Sequence, residues 1–130
     1  MNEQTPLSTP TITGGRYRQC CRDANNLLPL PTHGDAFWTT QSRLLLAAVA
    51  HALDTAVTAP ETLAWFARTS PVGAATARRI DDLLAQRISS EARHTLILTR
   101  DCPVQIRSDI FMTINHALRS ALTAAEATHA

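Results

Sequence analysis

With 130 residues the chain is long enough to bury one proper hydrophobic core and too short for two, which predicts a single domain. Hydrophobic residues make up 45% and charged residues 18%, a globular balance that excludes a largely disordered chain. A formal charge of +1 excludes a strongly basic nucleic-acid binder, so any phosphate contact must use a local patch. All 12 basic residues are arginines, whose planar guanidinium meets phosphate bidentately.

Residues 1–17 carry Pro6, Pro10 and Gly14-Gly15 among Thr and Ser, a composition that disfavours helix and strand and predicts a flexible N-terminal arm. Neither the charged region nor the continuous apolar region of a signal peptide stands there. From Arg16 to Asn26 one or two short helical turns are expected close to solvent, with Arg16, Arg18 and Arg22 around Tyr17 as the densest positive stretch. An aromatic among guanidinium groups is suited to tracking a phosphate backbone. A solvated segment with incidental charge is the bland alternative. Leu27-Leu-Pro-Leu-Pro31 reads as an extended connector, and Thr32-His-Gly34 as a turn.

The first long helix is predicted to begin at Asp35, as N-cap, or at Thr39, and to end at Asp54. Its apolar stripe covers most of the circumference, which predicts a central helix. Phe37-Trp38 and Trp65-Phe66 read as core in preference to a binding platform. A short helix follows from Thr58-Ala-Pro60-Glu61 to about Arg68, with Pro60 at its first position. Ser70-Pro71 predicts a third helix running to about Ile88, amphipathic, with Ile80 and Leu84 inward and Arg78, Arg79, Asp81 and Asp82 on a solvated, salt-bridging face. Ser89-Ser90-Glu91 reads as a break and recapping. Residues 92–98 read as helix or loop, because Thr95-Leu-Ile-Leu98 has β character and no strand to pair with. Asp101-Cys102-Pro103 opens a last long helix to about Glu126, which carries Arg107 and Arg119, and residues 127–130 are expected to fray. The fold class is therefore all-α, a compact helical bundle of four main helices with a flexible arm. Residues 18–126 form its one helical domain.

Catalytic signatures are missing from this pattern. The four glycines do not make a phosphate loop, and the five histidines lack the i, i+3 or i+4 spacing of a helical metal site. Cys20, Cys21 and Cys102 are an odd set with two adjacent, which argues against a disulfide framework and fits a reducing cytoplasm. Ordinary thiols are the favoured reading, and a small enzyme using Cys102 or a carboxylate ranks well below any binding role. The expectation is no enzyme, no cofactor and no small-molecule substrate. No apolar run approaches the roughly 20 residues of a membrane span, so no membrane insertion is expected.

His33-Gly-Asp-Ala-Phe-Trp38 followed by Ser42-Arg-Leu-Leu-Leu-Ala-Ala-Val-Ala50 resembles the opening of the all-α domain of TraG/TraD-like coupling proteins of conjugative type IV secretion. Those proteins commonly carry Phe-Trp, polar residues including Gln or Ala-Arg, then Leu-Leu-Ala-Ala. Gln105-Ile-Arg-Ser-Asp-Ile-Phe-Met-Thr-Ile-Asn-His-Ala-Leu118 is similar to the helix near the end of that domain, and the Thr58 and Ser70 helices fall between in the same order. The likeness covers residues 25–124 and departs from the family in lacking the ATPase motor and membrane helices. It implies a stand-alone, non-catalytic recognition module engaging DNA, relaxase or other relaxosome proteins, or a separately encoded motor. Arg16, Arg18, Arg22, Arg78, Arg79, Arg107 and Arg119 are the candidate contacts. A structural or protein-interaction bundle that binds no nucleic acid is the alternative.

Overall fold

The computed structural model describes residues 4–32 and 36–129, with side chains described over residues 16–32 and 36–125. Among the described residues the chain is all-helical: α1 Gln4–Leu27, α2 Phe37–Leu53, α3 Pro60–Arg68, α4 Ala74–Leu84, α5 Ser90–Asp101 and α6 Val104–His129. Six helices stand where four main ones are expected. The two additions are α1 and α5, and both have a physical origin.

The helical backbone of α1 reaches back to Gln4 through Pro6, Pro10 and Gly14-Gly15. Pro6 falls in the first turn, where its missing N–H leaves no bond unmade. Tyr17, at the limit of the expected arm, is buried with Ala24 and Leu28 on one side of the helix. For α5, Ser89 is extended and its hydroxyl accepts from the Ala92 N–H at 3.1 Å, the recapping that the serine pair implies. Ala92, Leu96 and Thr99 are then buried at helical spacing, which overrides the β character of Thr95–Leu98.

The central helix is α2. Six consecutive residues, Leu45, Leu46, Ala47, Ala48, Val49 and Ala50, have no exposed surface, so the helix is covered on every side. It packs against α1, α3, α4, α5 and α6. Phe37 and Trp38 lie inside its first turn, and the expected caps at Asp35 and the turn at His33-Gly34 fall outside the described residues. At its C-terminus Asp54 is left-handed (φ 58°), while the Asp54 and Thr55 N–H groups donate to His51 O and Ala50 O at 3.1 and 3.0 Å. That pair of bonds closes the helix end in the Schellman manner, with aspartate tolerating the conformation.

Pro60 opens α3 at its first position, as its sequence implies. The next start differs from expectation. Ser70-Pro71 does not begin a helix; it makes a turn in which Ser70 Oγ accepts from the Val72 N–H at 3.2 Å. Gly73, at φ 95°, then redirects the chain into α4. The Thr76 hydroxyl donates to Ser70 O, tying the turn to the helix. Helix α4 also ends earlier than expected, at Leu84, leaving Ile88 in the connection to α5. Asp101 closes α5 instead of opening α6, and Pro103 O accepts the first helical bond of α6, from Arg107 N–H at 3.1 Å.

Candidate functional site

The seven candidate arginines fall into different environments. Arg107 is 8% exposed, and its guanidinium donates to three backbone carbonyls: Pro71 O at 2.6 Å, Arg100 O at 3.1 Å and Cys102 O at 3.4 Å. These acceptors include the orphan carbonyl end of α5 and the turn before α4, so Arg107 is an internal strap and leaves the set of surface contacts. Arg79 is half-buried, its Nε donating to Thr69 Oγ1 at 2.8 Å and its guanidinium lying 5.6 Å from the Trp65 ring centre. Arg16 pairs with Asp54 at 2.8 Å across the α1–α2 junction, and Arg22 donates to Gln19 Oε1 at 2.7 Å. Arg18, Arg78 and Arg119 are exposed, without an ion pair or side-chain hydrogen bond among the described residues. Arg18 and Arg22 share one helical face, whereas Arg78 and Arg119 belong to α4 and α6.

Tyr17 does not stand among the guanidinium groups. It is 3% exposed and turned inward, its ring 5.6 Å from that of His51, and burial pushes its phenol well above the ordinary value. The acidic pair also departs from expectation: Asp81 binds Arg100 of α5 at 2.8 Å, not Arg78 or Arg79. Arg100 reaches Asp101 as well, and that hydrogen bond lowers the Asp101 pKa.

Two groupings escape sequence reasoning. Arg43, just ahead of the apolar run of α2, donates to Leu28 O at 2.6 Å and to Asn25 O at 3.4 Å, closing the end of α1 as Arg107 closes that of α5. No local pattern marks this role, because Arg43 closes a polar stretch, Thr39-Thr-Gln-Ser42, just before the apolar run. His51 is 1% exposed and accepts from the Ser89 N–H through Nε2 at 3.1 Å, so its proton resides on Nδ1. Burial, followed by the Arg16 charge, lowers its pKa against the opposing pull of Asp54.

No arrangement of nucleophile and base emerges from the cysteines. Burial raises the thiol pKa of Cys20, Cys21 and Cys102 alike, and Cys102 Sγ donates to Thr99 O at 3.2 Å. Each thiol is thereby kept in its less nucleophilic, protonated form. Among the described residues no group of three or more His, Cys, Asp and Glu is placed to hold a metal ion. The same residues include no helix long and apolar enough to cross a membrane.

A surface hollow of about 630 Å³ lies between α6 and the start of α2, bounded by Leu28, Trp38, Met112 and His116. A second, about 430 Å³, flanks α6 on the side of Phe66 and Pro71. Trp38 is half-buried and meets Phe37 edge to face at 5.0 Å. Trp65, Phe66 and Phe111 instead form the buried aromatic cluster.

Comparison with protein-family models, curated proteins and solved structures finds no match for the chain.

Proposed function

We propose that the chain is a non-catalytic helical recognition module, akin in plan to the all-α domain of TraG/TraD-like coupling proteins, that engages DNA or relaxosome proteins. The observation that supports it is the division of labour among the arginines. Arg43 and Arg107, one in each stretch that carries the resemblance, hold helix ends together inside the fold. Arg18, Arg78 and Arg119 leave their guanidinium groups accessible to phosphate or carboxylate. The raised thiol pKa values support a role in binding over chemistry.

Fluorescence anisotropy with single- and double-stranded oligonucleotides at low salt tests the DNA arm. Binding should weaken linearly in log–log form with added salt, and Arg18→Ala and Arg78→Ala should each lower affinity and make that slope shallower. No binding at low salt, together with no association with a relaxase, would end the proposal. The second reading, a protein-interaction module without nucleic acid, is favoured by Arg107 itself. Its withdrawal into the interior, with Arg16 and Arg79 engaged, removes three of the seven candidate contacts on a chain of net charge +1. A partner affinity indifferent to salt is its signature.

A further inference from the structure

We propose that the outward face of α6 is a self-association surface that takes a second copy of this chain, its α6 running antiparallel. The inference does not depend on the choice between DNA and protein partners; in the dimer Arg119 is taken up by the partner's Asp109, and Arg18 and Arg78 remain for phosphate.

The inward side of α6 is occupied by Ile110, Phe111, Ile114 and Leu118, all buried. On the opposite side Gln105, Asp109, Met112, His116, Arg119 and Thr123 are all exposed. They recur at alternating steps of four and three residues and so line one face of the helix, polar except for Met112. The stripe covers about five turns, roughly 27 Å. Its alternation is symmetric about position 114, so a two-fold axis crossing the helix there matches every member with another. Asp109 meets the partner's Arg119, Met112 meets the partner's His116, and Gln105 meets the partner's Thr123.

Charge selects this arrangement. Asp109 and Arg119 have no ion pair among the described residues, and the antiparallel pairing supplies one at each end of the seam. A parallel arrangement would set Asp109 beside the partner's Asp109 and Arg119 beside the partner's Arg119, a repulsive pairing. Shape agrees with charge. Met112, 67% exposed, is the most protruding large apolar side chain of the described surface, and it stands on a ridge with a hollow on each side. A ridge between grooves is the surface that a second helix interlocks with. The two-fold brings the partner's Met112 to His116 at the rim of the 630 Å³ hollow, where the Trp38 ring can receive its thioether.

Sedimentation equilibrium of the full chain over a concentration series at low salt should show a monomer–dimer equilibrium. Asp109→Arg and Arg119→Asp should each weaken the dimer by about tenfold or more, because each reversal places like charges at both ends of the seam. The double variant D109R/R119D should return affinity to near the starting value. Met112→Glu should weaken the dimer without such rescue, and circular dichroism should show unchanged helix content throughout. A monomer at every concentration, a dimer indifferent to either single reversal, or a folded double variant that stays monomeric would each overturn the proposal.

Discussion

Twelve arginines look alike in a sequence, yet Arg107 and Arg18 differ as much as two residues of one type can. The Arg107 guanidinium sits among three carbonyl oxygens contributed by two separate stretches, and solvent reaches only 8% of the residue. Arg107→Ala would leave those part-buried carbonyls without their donor, at a cost of about 1–3 kcal/mol. Arg107→Lys should fall between, because an ammonium cannot span the acceptors as a planar fork does. Urea unfolding with an unchanged m-value checks both, and any oligonucleotide affinity measured on the folded variants should match the parent. The sequence cannot announce this role. The carbonyls of Pro71 and Arg100 meet Arg107 only after the turn at Gly73 and the end of α5 have been brought together. Arg18, with no such neighbours, keeps the solvated character that its polar surroundings imply.

At the scale of the elements, legibility follows how much of a helix is decided locally. Helix α3 is readable because Pro60 and Glu61 suit its first turn, and α2 because its apolar stripe is too wide for a surface helix. Helix α5 also carries its signal, in the Ser89 cap and the spacing of Ala92, Leu96 and Thr99, but Thr95 to Leu98 masks it with β-branched and apolar residues. Helix α1 is the opposite case: Pro10 and Gly14-Gly15 argue against it locally. The α2–α5 junction yields a pH prediction. The neutral His51 ring accepts from the Ser89 N–H at the positive end of α5. Because its folded pKa is lowered, the unfolded chain takes up a proton first as pH falls through about 6.5, the ordinary histidine value. The contribution is fully present above that pH and is lost as pH falls from there to the folded pKa. The urea midpoint should therefore decline from pH 7.5 to 5.5, and His51→Gln, which cannot titrate, should flatten that decline. An equal decline in the variant would place the effect elsewhere.

For the whole molecule the controlling fact is that α2 touches all five other helices, so no helix can be released without exposing part of it. Leu46 is fully buried at its middle. Leu46→Ala should cost about 2–5 kcal/mol in lost burial and residual cavity, a large share of the roughly 5–15 kcal/mol that stabilises a domain of ordinary size. Its second consequence concerns cooperativity. With one helix as the common wall of every interface, destabilisation at Leu46 is transmitted to all of them, so the variant should unfold at lower denaturant in one step. Far-UV circular dichroism reports the helices, and tryptophan fluorescence reports Trp38 at the edge of the core and Trp65 within it. The two probes should give coincident transitions in the parent and the variant alike. Separated transitions would mean that some helices hold together without α2, and the central position assigned to it would then lack its energetic counterpart.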